Sequence, residues 1–215
     1  MNLQGVIFDL DGTLANTLPV CFAAFRRAYY EFTGKTYTDQ EVEATFGPSE
    51  EGAIQRAVPE AHWDACLQVF LEEYDRVHGE LCRAPFPGMV EVLEWLQAQG
   101  IRRAIVTGKG AHSAKISLRH TGLAPYFSEI ETGSVQGVIK PQAIQKIVAG
   151  WGIPSETVAY VGDALADVHS ARTAGVVPLA AAWAPTADYA GLEKLVPYAT
   201  FRTVESFASW LAESR

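Results

Sequence analysis

The chain has 215 residues, of which 48% are hydrophobic and 20% are charged, and its formal net charge is −8. These values are typical of a globular protein that can bury a substantial core, as one domain or as one domain with an insertion. An acidic balance without a polybasic segment argues against nucleic acid or an anionic membrane as the main partner.

Cysteine usage and hydropathy indicate the compartment. Cys21, Cys66 and Cys82 are widely spaced and form no C-x-x-C pair. Free thiols in a reducing compartment are therefore expected, in place of disulfides or a zinc site. The sequence predicts no signal peptide, and no apolar run reaches the length of a membrane span. We expect a cytoplasmic protein that is a monomer or a homodimer.

The first predicted element is a short buried strand at residues 6–8, which is apolar and rich in β-branched and aromatic residues. The strand leads into Asp9 and Asp11, and Gly12 ends it. Residues two apart on an extended chain point the same way, so both carboxylates should face one space. Neighbouring carboxylates repel each other, and one must take up a proton or both must share a cation. This stretch is therefore predicted to be a functional site.

From about residue 19 to about residue 83 the sequence predicts helices alone. Apolar residues recur there at helical spacing, interrupted by Gly34 and by Gly47-Pro48. Beyond the Pro-rich segment 84–88, strands and helices alternate. The strands are predicted at 104–106, 128–130, 158–161 and 176–182, and the helices at 89–96, 111–120, 142–149, 164–174 and 204–211.

Alternation of this kind predicts an α/β fold: a Rossmann-like parallel sheet flanked by helices. The first strand belongs to that sheet, so the helical segment is an all-helical cap inserted after it. The predicted domains are an α/β core at residues 1–16 and 86–215 and a cap at residues 17–85.

Polar residues follow three of the predicted strands, at Asp9 and Asp11, at Thr107-Gly108 and at Gly162-Asp163. In open α/β sheets the ligand lies beyond the carboxyl ends of the strands, so these residues should meet. An oxygen-rich site of this kind suits Mg²⁺, and a carboxylate beside it is a competent nucleophile toward phosphorus. Lys140, at a predicted loop-to-helix junction, could place a positive charge on a phosphoryl group.

Two other motifs do not match. A calcium-binding loop that began at Asp9 would need Gly and Glu where Leu14 and Val20 stand. A P-loop around Lys109 would need a glycine where Ala104 stands and Ser or Thr where Gly110 stands.

Four motifs in chain order resemble those of the haloacid dehalogenase-like hydrolase superfamily. They lie at residues 9–14 (DLDGTL), 105–108 (IVTG), 140–141 (KP) and 161–167 (VGDALAD). The resemblance extends over essentially the whole chain. It is strongest to the phosphoglycolate phosphatase-like and beta-phosphoglucomutase-like members, which carry a helical cap after the first motif.

The resemblance implies roles for the acidic residues. Asp9 would be the nucleophile that becomes phosphorylated, and Asp11 would act first as general acid and then as general base. Mg²⁺ would be held by Asp9, Asp163 and the backbone carbonyl of Asp11, with Asp167 in support near the metal or Lys140. The implied enzyme is a phosphoric monoester hydrolase, a Mg²⁺-dependent phosphatase that acts on a small phosphorylated metabolite resembling phosphoglycolate.

The resemblance also implies how the substrate is held. Thr107, Gly108 and Lys140 would bind the phosphoryl oxygens. The cap loop at residues 46–50 lies where related enzymes place their specificity loop, so Ser49 is a candidate substrate contact. In the family the second motif commonly continues with Asn, where this chain has Gly108-Lys109, and we expect Lys109 to be a solvated side chain.

Other reactions of the superfamily fit less well. Dehalogenases lack the second aspartate, and phosphonate-cleaving members need a cap lysine, for which the sequence offers Lys35 alone. The mutases carry a histidine in the first cap turn and an arginine after the cap serine, where this chain has Cys21 and Glu50. Hydrolysis is favoured, with phosphoglycolate, another short ester and pyrophosphate all open as substrates. A sugar-phosphate mutase and a non-catalytic protein that binds a phosphorylated ligand are the alternatives.

Overall fold

A computed structural model of the chain describes residues 2–137 and 139–213. Within these residues, the predicted alternation is confirmed as a parallel sheet of six strands in the order β3-β2-β1-β4-β5-β6. The strands are β1 (Gly5–Phe8), β2 (Arg102–Val106), β3 (Ile130–Glu131), β4 (Val158–Gly162), β5 (Val177–Ala181) and β6 (Ala199–Phe201).

Helices flank the sheet and also form a separate group between β1 and β2. That group, called the cap below, contains α1 (Leu18–Thr33), α2 (Asp39–Glu43), α3 (Glu50–Ala57) and α4 (Trp63–Leu81). The remaining helices are α5 (Met89–Ala98), α6 (Ala111–Thr121), α7 (Lys140–Trp151), α8 (Leu165–Ala174), α9 (Tyr189–Lys194) and α10 (Val204–Glu213). No helix in the described part of the chain is long and apolar enough to cross a membrane.

Strand β1 lies at the centre of the sheet, and all four of its residues are buried. It pairs in parallel with β2 on one side and β4 on the other, with Phe8 opposite Ile105 and Val161. Parallel register brings the carboxyl ends of the three strands to one edge of the sheet. The polar residues after these strands therefore meet at that edge.

The sheet and the cap have separate apolar cores. Phe8 packs with α10 on one face of the sheet, and Ile7 packs with α7 on the other. In the cap, the rings of Phe25 and Phe70 lie 4.4 Å apart between α1 and α4. A core of its own allows the cap to act as a unit, and the exact boundaries at residues 17 and 85 stay a prediction.

Several elements differ from the sequence-based prediction. Strand β3 consists of Ile130–Glu131 in place of 128–130, and neither α9 nor β6 was predicted. Both of these elements are short, with six and three residues, so they offer too few turns or alternations to be recognised from a pattern. Helix α4 starts after a 3-10 turn at Glu60–His62 and continues to Leu81.

Helix α4 of the cap packs on α6 of the sheet domain through polar contacts. The hydroxyl groups of Tyr74 and Ser117 are hydrogen-bonded at 2.7 Å, and both side chains are fully buried. Nearby, Asp75 accepts a hydrogen bond from Arg119 and lies 2.6 Å from the ring nitrogen of His120. The buried hydroxyl pair is the contact that water cannot replace, since an unpaired buried polar group is costly.

Replacement of Tyr74 by Phe should lower the free energy of unfolding by about 1–2 kcal/mol, because it leaves the buried Ser117 hydroxyl without its partner. The measurement is urea denaturation of the variant and the wild type. Tyr30→Phe is the matched control, since Tyr30 is 55% exposed on a cap helix. Equal stability of the two variants would contradict the role of the Tyr74 hydroxyl.

Candidate active site

Asp9 directly follows β1, and its side chain is held by two hydrogen bonds. The backbone N–H of Leu10 donates to Oδ1 at 2.7 Å, and the Lys140 ammonium donates to Oδ2 at 2.6 Å. Asp9 is only 6% exposed, and this burial, together with the carboxylates of Asp167 and Asp11, raises its pKa to about 6, against the opposing effect of Lys140. The residue thus presents a fixed carboxylate at the edge of the sheet.

Lys140 is the first residue of α7, followed by a proline that suits the first helical turn. Its ammonium lies 2.6 Å from Asp9 Oδ2 and 2.6 Å from Asp167 Oδ1. Burial acts to lower the pKa of Lys140, but the two carboxylates outweigh it and hold the pKa well above its usual value. Lys140 therefore supplies a permanent positive charge beside Asp9.

A group of three carboxylates offers a cation site. Oxygen atoms of Asp9, Asp163 and Asp167 all lie within 4.8 Å of one another. Burial and the other two carboxylates raise the pKa of Asp163 well above its usual value, and the Thr13 hydroxyl donates to Asp163 Oδ1 at 3.1 Å. An all-oxygen donor set with this excess of negative charge fits a hard divalent cation such as Mg²⁺.

Two glycines allow the loops of the site to approach closely. Gly12 has φ +68°, and a Cβ on it would lie 2.1 Å from Asp163 Oδ2. A Cβ on Gly133 would lie 1.9 Å from the carbonyl oxygen of Gly108. Side chains at these positions would push the strand-end loops apart.

Asp11 is the second predicted carboxylate, and it faces the cap side of the site. Its Oδ1 accepts a hydrogen bond from the Thr17 hydroxyl and lies 3.0 Å from the Lys109 ammonium. Lys109 is 3% exposed, so the expectation of a solvated lysine was wrong. Its side chain turns inward because buried acceptors surround its ammonium, whereas nothing in the local sequence marks it as buried.

Glu50, the first residue of α3, is the cap partner of Lys109. Its Oε1 lies 3.4 Å from the Lys109 ammonium and accepts a hydrogen bond of 2.6 Å from the Ser113 hydroxyl. The backbone N–H of Gly110 donates to its other oxygen, and Cys21 Sγ lies 3.0 Å from Lys109 Nζ. Sequence reasoning missed this contact, because an acidic residue in a first helical turn is ordinary.

Burial and the neighbouring charges act in opposite directions on the pKa of Lys109. Burial acts to lower its pKa, and the carboxylates of Asp11 and Glu50 help to hold it well above the usual value. The ammonium also lies 4.7 Å from the centre of the Tyr74 ring. Lys109 is therefore a charged residue whose surroundings already neutralise it.

Of the remaining predicted site residues, Thr107 and Gly108 lie at the pocket and Ser49 does not. Thr107 and Gly108 line the same pocket as Asp9, and the Thr107 hydroxyl accepts from the backbone N–H of Lys109 at 3.3 Å. Ser49 is buried and is not among the described residues that line the pocket, so the structure does not bring it to the site.

The pocket between the sheet edge and the cap has a volume of about 610 Å³. Its floor contains the strand-end residues Asp9, Asp11, Thr107, Asp163 and the helix residue Lys140. Its cap side contains residues of α1, of α2 and of the loop before α3. A phosphoryl group could therefore contact the charged floor while the rest of the ligand lies under the cap.

Comparison with known proteins identifies the family of the chain and relatives of similar sequence. The model of the family described as haloacid dehalogenase-like hydrolase matches residues 6–181. Pyrophosphatase PpaX of Oceanobacillus iheyensis is 30% identical over 185 residues, which cover 85% of this chain and 85% of that protein. A phosphoglycolate phosphatase of Cereibacter sphaeroides is 31% identical over 181 residues, with 81% of this chain and 83% of that protein covered.

A similar fold is found in solved structures. A hydrolase from Pseudomonas syringae superposes with a TM-score of 0.77 and 20% identity, over 98% of each chain. The chain belongs to the haloacid dehalogenase-like hydrolase family, as its four motifs predicted. It is a hydrolase of this family, and its similar relatives include phosphatases.

Replacement of Lys140 by Met should lower the free energy of unfolding by about 3–5 kcal/mol in EDTA at neutral pH, because it leaves buried carboxylates without their cation. Chemical denaturation measures the change. Lys146→Met on the same helix is the matched control: Lys146 is 71% exposed and pairs with Glu131, so its loss should cost less than about 1 kcal/mol. Similar losses for both variants would contradict the buried ion pair.

Proposed function

We propose that this hydrolase is a Mg²⁺-dependent phosphatase that acts on a small phosphorylated metabolite through an aspartyl-phosphate at Asp9. The observation that carries the proposal is the position of the Asp9 carboxylate. It is fixed at the end of the central strand, beside the Lys140 ammonium, and it lines a pocket with Asp163 and Thr107. Carboxylates so placed are competent nucleophiles toward phosphorus.

In the first step, an Asp9 carboxylate oxygen attacks the phosphorus atom and the bond from phosphorus to the leaving oxygen breaks. Lys140 and Thr107 hold the phosphoryl oxygens, which fixes the direction of attack. Asp11, in its protonated form, gives its proton to the leaving oxygen, so that the product departs as an alcohol.

In the second step, water attacks the phosphorus atom of the aspartyl-phosphate, and phosphate and free Asp9 are formed. Asp11, now ionised, takes the proton from that water. The Thr17 hydroxyl and the Lys109 ammonium both contact Asp11 Oδ1 and fix the orientation of the carboxyl group. With its carboxyl group held in this orientation, Asp11 can act as general acid in the first step and as general base in the second.

Asp9, Asp163 and Asp167 are the residues that would hold the metal, with the Asp11 backbone carbonyl predicted as a further ligand. When bound, Mg²⁺ would neutralise the charge that the phosphoryl group and the carboxylates bring together. Lys140 then balances the part of this charge that lies on Asp9 and Asp167.

The size of the pocket supports a small substrate. A volume of about 610 Å³ under a helical cap favours a small metabolite over a protein substrate. Relatives named phosphoglycolate phosphatase and pyrophosphatase supply the first compounds to assay. A cytoplasmic location and a monomeric or homodimeric state stay predictions from the sequence.

Hydrolysis of 4-nitrophenyl phosphate should require added Mg²⁺ and stop in EDTA, and Asp9→Asn should lower kcat by more than about 10³-fold, because an amide is a poor nucleophile. The assay records nitrophenolate release at constant ionic strength. Asp188→Asn is the matched control, since Asp188 lines the same pocket and caps α9 through a bond that asparagine can keep.

Turnover in Asp9→Asn equal to that of Asp188→Asn would contradict the assignment of the nucleophile. Turnover that is unchanged in EDTA would contradict the metal dependence. A screen of sugar phosphates distinguishes the mutase, which would form an isomeric sugar phosphate without release of phosphate.

A further inference from the structure

The part of the cap side formed by α1 and the loop before α3 is apolar and aromatic, whereas α2 contributes the polar residues Asp39, Gln40 and Glu43. Phe22 and Phe46 stack with ring centres 6.0 Å apart, and both line the pocket together with Phe25. Leu18 and Pro48 extend this surface on either side. Surfaces of this kind bind apolar groups, since water leaves both partners on contact.

In the described part of the chain, the cap side of the pocket offers no unpaired cation to a second negative group. Among the described residues that line the pocket, the cationic side chains are Lys140 and Lys109. Lys140 contacts Asp9 and Asp167 on the floor, where the phosphoryl group would bind. Lys109 is the cation that contacts the cap. Binding of a negatively charged leaving group therefore depends on whether the charge of Lys109 is already paired.

Glu50 neutralises Lys109 from the cap side. Its carboxylate is 7% exposed and is held by the Ser113 hydroxyl and the Gly110 N–H, so it cannot swing away without the loss of those bonds. Asp11 contacts the same ammonium at 3.0 Å. A carboxylate or phosphate on the leaving group would need the Lys109 ammonium as its partner. That ammonium is already paired with Glu50, whose negative charge would repel the second anionic group.

We infer, on the basis of the proposed phosphatase function, that this site selects phosphate monoesters of apolar, uncharged alcohols, and that Glu50 is the residue that excludes a second anionic group. Phosphoglycolate and pyrophosphate both carry such a group, so the preference separates this chain from relatives named for those substrates. Burial of an anion beside a fixed carboxylate is unfavourable unless a cation is free to pair with it.

The test compares two esters of the same shape, 4-carbamoylphenyl phosphate and 4-carboxyphenyl phosphate, which differ in the charge of one group. The wild type should show a kcat/KM at least about 10-fold higher for the amide ester than for the carboxylate ester. The repulsion between Glu50 and a substrate carboxylate several ångströms away is large enough to cause a difference of this size. Glu50→Gln should bring the ratio of the two kcat/KM values close to one by improving turnover of the carboxylate ester. In this variant the Lys109 ammonium is no longer paired with residue 50 and can pair with the carboxylate of the substrate.

Glu51→Gln is the matched control. Glu51 is the next residue of α3 and lies against Gly110, and no ion pair links it to Lys109 in the described structure. Its substitution removes the same charge from the same helix and should leave the ratio as in the wild type. Turnover of the amide ester by each variant confirms that the site is folded.

The outcomes separate this inference from the proposed function. Absence of Mg²⁺-dependent turnover for both esters would overturn the phosphatase assignment and this inference with it. Turnover of both esters with equal efficiency, or a preference for the carboxylate ester, would overturn the inference alone. An unchanged ratio in Glu50→Gln, or the same change in Glu51→Gln, would remove Glu50 as the residue that excludes anions.

Discussion

Burial of several carboxylates at the carboxyl end of one parallel sheet is the constraint on which the site depends. Asp9, Asp163 and Asp167 lie within a few ångströms of one another, and burial raises the pKa of the first two. Such a group is stable only if cations accompany it. Lys140 supplies one from the start of α7, and the oxygen donors fit a divalent metal as the other.

A second lysine connects the chemistry to the cap. Lys109 lies between Asp11 of the sheet domain and Glu50 of α3, so the same ammonium orients the predicted acid and base and contacts the cap. Because Lys109 is paired with both carboxylates, the described lining of the pocket leaves no unpaired cation on the cap side for the substrate's leaving group. In the proposed mechanism, Lys109 links the position of the predicted acid and base to the choice of substrate.

Much of the floor of the site could be predicted from the sequence, since strands that end in Asp9, Thr107 and Asp163 must meet at one edge of a parallel sheet. The contact between Lys109 and the cap could not be predicted, because Lys109 and Glu50 are 59 residues apart in the sequence and each has an ordinary local explanation. The short elements α9 and β6 carry no pattern of their own and form because the sheet provides their partners.

The most direct test of the account is to find the phosphorylated residue. Asp11→Asn should slow attack by water more than the first step, since nitrophenolate leaves without a proton, and the phosphoenzyme should accumulate. The variant is mixed with ³²P-labelled 4-nitrophenyl phosphate and Mg²⁺, quenched in acid and mapped by peptide analysis. The proposed mechanism predicts label on Asp9 and none in the Asp9→Asn, Asp11→Asn double variant. Label on another residue, or label that persists in the double variant, would contradict it.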